Sequence, residues 1–237
     1  MDKCEKLCVS KVAGNNQYKI GNTSLQETDS VKDLGIYISK DLKWDMHINK
    51  MKIKANQRCF LILKSFQTKN IWILLRAYLT YVRPIAEYGS VVWSPHLNRD
   101  IDSVESIQRS FTMKIFSRCN IQCDSYKDRL FKLNLRSLQY RRVEADLIMA
   151  YKILHNIVDI PMSKFFALYV SPYSTRRHRY CLKRRKTSTK LEQNSFANRI
   201  VPIWNRLPEE IVLSATLNIF RSKIKSFDLH SITQLKF

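Results

Sequence analysis

Four soft side chains stand in two short pairs, Cys119-x-x-x-Cys123 and His178-x-x-Cys181. These are ligand types and tight spacings that a tetrahedral zinc ion accepts. More than fifty residues separate the pairs, and Cys119 and Cys123 are equally placed to face a helix interior, so a site depends on the fold bringing them together. Two-metal phosphoryl chemistry asks for carboxylates grouped closely enough to bridge magnesium ions. No adjacent pair of aspartates occurs, and Asp41 with Asp45 or Asp100 with Asp102 read as helix-start residues. Four glycines are too few for a well-built phosphate loop, and none of the five histidines sits in a recognisable catalytic context.

Charge remains. The chain carries 41 Lys+Arg against 20 Asp+Glu, a formal net charge of +21 over 237 residues. Such an excess draws a protein to polyanions through Coulomb steering and counterion release. Its densest block, residues 171–190, holds Arg176, Arg177, Arg179, Lys183, Arg184, Arg185, Lys186 and Lys190 with no acid, interleaved with Tyr173, His178 and Tyr180. Arginine forks suit phosphates and tyrosine rings stack on unpaired bases. The same block also reads as a solvated linker or a nuclear localisation patch.

The elements that would position these groups are mostly helical. Hydrophobic residues make up 45% of the chain and only 4 glycines and 6 prolines punctuate it, against both bulk disorder and a many-turned all-β fold. Strand signals are confined to Leu7 to Val12, Tyr18 to Ile20 and Leu34 to Ile38, with turns at Gly14-Asn15-Asn16 and Gly21-Asn22. Trp44, Ile48, Met51, Ala55, Cys59, Ile62 and Phe66 then form one helical stripe, leaving Lys43, Lys50, Lys52, Lys54, Arg58 and Lys64 off it. A second stripe, Ile71, Leu74, Leu75, Tyr78, Leu79 and Val82, is expected to end at Arg83-Pro84. A third, Val104, Ile107, Phe111 and Ile115, puts Glu105, Gln108, Arg109 and Lys114 elsewhere on the circumference, with Asn98, Asp100 or Asp102 as its cap.

Residues 119–134 read as loop and short helix. Leu138, Val143, Leu147, Ala150, Tyr151 and Leu154 mark a helix ending near His155-Asn156, with Arg141, Arg142 and Lys152 on or near its polar side. A closing helical segment contains Phe196, Ile200, Ile203, Leu207 and a core Trp204, and a new helix opens at Pro208-Glu209-Glu210. The most apolar long window, Ile71 to Trp93, includes Arg76, Arg83, Pro84 and Glu87 and is rejected as a membrane span. Six cysteines without a paired framework fit a reducing nuclear or cytoplasmic setting and not secretion.

The run Leu79 to Trp93, with Arg83-Pro84, Glu87-Tyr88-Gly89 and Trp93, followed by Glu105-x-x-Gln108-Arg109-x-Phe111-Thr112, resembles the thumb and C-terminal region of jockey-like non-LTR retrotransposon reverse transcriptases. Collinear matches extend outward, through Lys32-Asp33-Leu34-Gly35-Ile36, Leu42-Lys43-Trp44 and His47 on one side and Arg141-Arg142, Tyr151-Lys152, Trp204-Asn205 and Leu207-Pro208 on the other. The resemblance implies an organisation of 1–40 as a palm-end β hairpin region, 41–118 as thumb helices, 119–170 as a helical connection, 171–190 as a basic flexible segment and 191–237 as a helical cap. The fold class expected is thus mainly α, with a small N-terminal antiparallel β element, a helical thumb and a C-terminal helical region.

The family's Tyr-x-Asp-Asp signature is absent from the sequence, so the chain is expected to be no enzyme on its own and to need no cofactor, the Mg²⁺ belonging to a palm upstream. It would grip an RNA template, an RNA/DNA hybrid or duplex DNA without reading sequence, make no membrane contact, and touch that palm. The residues expected to hold phosphates are Lys50, Lys54, Arg58, Arg141, Arg142, Arg176, Arg177, Arg179, Lys183, Arg184, Arg185 and Lys186. The compact zinc knuckle of some family members is not reproduced by Cys119, Cys123, His178 and Cys181. The same surfaces would serve a standalone nuclear RNA- or DNA-binding module, or remain on an inert helical remnant.

Overall fold

A computed structural model describes residues 4–9, 17–169, 178 and 180–236. The chain opens with six short strands, β1 (Glu5–Leu7), β2 (Lys19–Ile20), β3 (Thr23–Ser24), β4 (Gln26–Thr28), β5 (Ser30–Asp33) and β6 (Ile36–Ser39). Twelve helices follow among the described residues: α1 (Asp45–Ser65), α2 (Ile71–Tyr81), α3 (Arg83–Glu87), α4 (Ser90–Trp93), α5 (Asn98–Arg118), α6 (Tyr126–Lys132), α7 (Leu138–Leu154), α8 (Met162–Phe165), α9 (Lys190–Gln193), α10 (Phe196–Trp204), α11 (Glu209–Val212) and α12 (Leu217–Ser226). The protein is therefore mainly helical with a small N-terminal strand element, as expected.

The strands depart from expectation in detail. β2–β3 and β5–β6 are antiparallel hairpins, but β1 pairs with β4 in parallel, Glu5 opposite Gln26. The expected strand Leu34 to Ile38 is split, because Leu34 (φ 44°) and Gly35 (φ 88°) form the two-residue turn between Asp33 and Ile36. Positive φ at both positions is what matches a tight hairpin to the twist of its strands, and Gly35 supplies one of them without strain. Gly21-Asn22 makes the expected turn of the β2–β3 hairpin; Gly14-Asn15-Asn16 and the far end of Leu7 to Val12 lie outside the described residues.

The helical stripes hold, except that Phe66 at the end of the first is exposed. Ile48, Met51, Ala55, Cys59 and Ile62 of α1 are buried against Leu74, Leu75 and Tyr78 of α2 and Val104, Ile107, Phe111 and Ile115 of α5, with Ile36 of β6 in the same core. The second stripe ends where expected, just before Arg83-Pro84, and a separate short helix follows. α2 stops at Tyr81 and α3 begins at Arg83, with Pro84 in its first turn where a missing N–H costs nothing. None of Asn98, Asp100 and Asp102 caps α5: Leu97 holds that position and no side chain caps it. α6 and α7 start on side-chain caps, Ser125 and Ser137.

A second core is built on α7, whose Leu147, Ala150, Tyr151 and Leu154 meet Ile200 and Trp204 of α10 and Phe220 and Ile224 of α12. The Trp204 indole N–H donates to the Tyr180 carbonyl at 3.0 Å, as a buried tryptophan requires. α7 joins the two cores, because Leu138 at its start belongs to the first. Part of the expected flexible segment is anchored here. Leu182 is buried and exchanges two 2.8 Å hydrogen bonds with the Asn205 carboxamide, and Lys183 N–H donates to the Ala167 carbonyl at 2.7 Å.

Gly89 (φ 63°) lets α4 start against the β5–β6 hairpin. A Cβ there would stand 2.7 Å from Ile36 Cδ1. Gly89→Ala is expected to lose about 1 to 3 kcal/mol from backbone strain and the displaced Ile36; chemical denaturation at unchanged slope is the check.

Candidate nucleic-acid interface

The basic face of α1 does not stand alone. The β5–β6 hairpin, α1 and the α3–Tyr88 corner enclose an open groove of about 650 Å³. Lys32 enters it from β5, Tyr37 from β6, His47, Lys50 and Lys54 from α1 and Tyr88 from the corner, over a floor that includes Met51, Pro84 and Ile85. The Tyr88 hydroxyl donates to the Leu34 carbonyl at 2.8 Å and ties the corner to the hairpin turn. Lys32 Nζ lies 5.7 Å from the centre of the Tyr37 ring, a cation over an aromatic face.

His47 is the unusual member. It is 4% exposed, and its Nδ1 accepts the Tyr37 backbone N–H at 3.3 Å. That leaves the proton on Nε2, which is buried with no hydrogen-bond partner among the described residues. Burial holds the imidazole below its ordinary range, so it stands neutral at pH 7. That nitrogen is shut off from solvent and the His47 ring packs 4.9 Å from the ring of buried Trp93, so the groove offers a ligand its lysines and tyrosines and not this N–H.

Of the residues expected to hold phosphates, Lys50 and Lys54 line this groove, and Arg58 is exposed one turn further along α1. Lys183, Arg184, Arg185 and Lys186 are exposed too, with Arg185 Nη2 donating to the Ser163 carbonyl at 3.2 Å. Arg176, Arg177 and Arg179 lie outside the described residues. Arg141 and Arg142 require correction. Arg141 pairs through two nitrogens with the Glu87 carboxylate, an arrangement that raises its pKa above the ordinary guanidinium value. Arg142 is 2% exposed, and burial pulls its pKa down to about 10. α7 carries core on almost every side, so positions that a single apolar stripe assigns to solvent are interior.

The four candidate zinc ligands are not brought together. Cys119 and Cys123 pack against the first core, where Cys123 Sγ donates to Asp128 Oδ2 at 2.8 Å, whereas Cys181 is buried beside the second and His178 Nε2 lies 3.4 Å from the Trp204 carbonyl. No group of three or more metal-ligating side chains occurs among the described residues.

The Glu105-x-x-Gln108-Arg109-x-Phe111-Thr112 motif turns out to be interior architecture. Glu105 and Gln108 are fully buried instead of lying on the polar circumference. Glu105 accepts the Tyr126 hydroxyl at 2.5 Å and the backbone N–H groups of Leu138 and Gln139 at 3.1 and 3.2 Å, placing its carboxylate at the N-terminus of α7. Gln108 accepts the Tyr78 hydroxyl at 3.1 Å and donates to the Tyr126 hydroxyl and the Arg136 carbonyl, and Thr112 accepts from Arg129 Nε at 3.3 Å. The motif therefore locks α2, α5, α6 and α7 behind the groove.

Lys32, Tyr37, His47 and Tyr88 escape a reading by periodicity because they come from four separate places, two strands, a helix and a corner. One signal was available: His47 falls beside Ile48 on the apolar stripe of α1, where a polar ring has to find a use for its second nitrogen. Among the described residues no helix is long and apolar enough to cross a membrane.

No protein-family profile and no solved structure matches this chain. It is similar to an uncharacterized protein of Caenorhabditis elegans, 29% identical over 130 residues that cover 55% of this chain and 64% of that relative.

Proposed function

We propose that the chain is the thumb and C-terminal region of a jockey-like non-LTR retrotransposon reverse transcriptase, and that its own part is to hold nucleic acid against a polymerase palm. It grips the phosphates of a template duplex or hybrid without reading sequence and contributes no carboxylates to the chemistry. The observation that carries this reading is the open groove lined by Lys32, Lys50 and Lys54, with Arg58 exposed one turn further along the same helix. Its placement between a β hairpin and the first long helix agrees with the collinear motif resemblance. A chain formally charged +21 adds the long-range attraction.

The test is binding of the full chain to an RNA/DNA hybrid at several salt concentrations. Affinity is expected to fall steeply with salt, and Lys32→Ala/Lys50→Ala/Lys54→Ala to reduce the logarithmic salt slope by about 3 and low-salt affinity by roughly tenfold or more. Salt-independent binding, or a triple variant indistinguishable from the parent, would sink the reading.

A further inference from the structure

The α1–α2 helical hairpin ends in a tip that is tied down and left uncovered. From the end of α5, Arg118 donates Nη1–H to the Phe66 carbonyl at 2.8 Å and Nη2–H to the Leu63 carbonyl at 2.7 Å, satisfying acceptors that the end of α1 leaves open. Across the turn, Asn70 Oδ1 accepts the N–H groups of Trp72 and Ile73 at 3.0 and 3.4 Å, and Thr68 Oγ1 accepts that of Asn70 at 3.0 Å. A backbone fixed from both sides holds its side chains at little further entropic cost.

On this scaffold Phe60, Trp72 and Phe66 are 64%, 60% and 40% exposed. Folding gains little from rings left this far in water. Arg58, Lys64, Lys69 and Arg76 are exposed on the same two helices and their turn. No Asp or Glu occurs from Met46 to Ala86, so nothing there offsets their charge. Beside Phe60 a shallow depression is lined by the Asn56 and Gln57 carboxamides, which can donate to and accept from a base edge. Flat rings, amides and unopposed cations together match an unpaired strand, which offers π faces, polar edges and phosphates at once. An acidic protein partner would use the charge and the rings but has no need of the amides.

We propose that the α1–α2 tip is a stacking platform for an unpaired nucleic-acid strand, with Phe60 and Trp72 under its bases and Arg58, Lys64, Lys69 and Arg76 along its phosphates. It rests on the reading that the chain grips nucleic acid; its face adjoins the lysine groove, sharing Ile53 and Gln57 with it, and differs in the rings Phe60 and Trp72, which do not line that groove. Both rings are mostly in water, so Phe60→Ala/Trp72→Ala is expected to leave the circular dichroism spectrum and unfolding midpoint unchanged.

The experiment compares labelled oligothymidylate with a duplex of equal length on the full chain. The double variant should weaken oligothymidylate binding by about tenfold or more and duplex binding by less than about twofold, while Trp72→Phe keeps most of the affinity. Unchanged oligothymidylate binding, or equal losses on strand and duplex, would overturn the proposal. So would a loss of self-association alone, which would assign the face to a protein contact. A parent chain that binds duplex but not oligothymidylate defeats this inference and spares the groove; one that binds neither defeats both.

Discussion

Glu105→Ala is expected to lower stability by about 3 to 5 kcal/mol, the cost of opening a buried charged network. Glu105 is fully buried, and its carboxylate receives Tyr126, Leu138 and Gln139. Truncation strands two backbone N–H groups at the start of α7, each worth about 1 to 3 kcal/mol when buried without a partner. It also removes an anion that offsets the buried Arg142 guanidinium and favours the positive end of the helix. The loss converts to roughly 10 °C in melting temperature for a chain of this size. Glu105→Gln, which keeps an acceptor oxygen but no charge, should fall between the two, and Tyr126→Phe should cost only about 1 kcal/mol. If Glu105→Ala unfolded within about 1 kcal/mol of the parent, the network would not be the lock between α5 and α7 described above.

Arg199→Ala is expected to be of similar size, about 3 to 5 kcal/mol at neutral pH, because it leaves a buried carboxylate uncompensated. Arg199 donates to both Asp146 oxygens at 2.8 and 2.9 Å and to the Val91 carbonyl at 2.6 Å, so one side chain fastens α10 to α7 and to α4. Burial already lifts the Asp146 carboxyl above its ordinary range, against the pull of Arg199. Without Arg199 that pKa rises further. A carboxyl that binds its proton more readily in the native than in the unfolded chain stabilises the native state as pH falls through the interval between its two pKa values. The deficit of Arg199→Ala relative to the parent should therefore be larger at about pH 7.5 than at about pH 4.5, read from paired denaturant titrations. A deficit that grew on acidification would mean that Asp146 is ionised at no cost in the variant.

How far the sequence could be read follows from where each property resides. α1 was legible because Ile48, Met51, Ala55, Cys59 and Ile62 repeat along one segment and α1 buries one face. α7 is legible as a helix but not as an interior one, because a helix between two cores has little solvent side: Arg141 is taken up by Glu87 and Arg142 is buried. The apolar side chain of Leu34 suits a strand, but the hairpin needs a turn there and leaves it exposed. The Cys119/Cys123 and His178/Cys181 pairs, which the sequence leaves free to meet, are packed beside different cores.

By itself, the sequence determined the helical class, most helix positions, their apolar stripes and the acid-free charge of the first helical hairpin, because periodicity and formal charge are properties of contiguous residues. Only the tertiary structure decided which polar groups go inside, that Glu105 faces the start of α7, and that Lys32, His47 and Lys54 share one groove. Those outcomes depend on partners tens of residues away, and burying a polar group is tolerable only where such partners have already been brought to it.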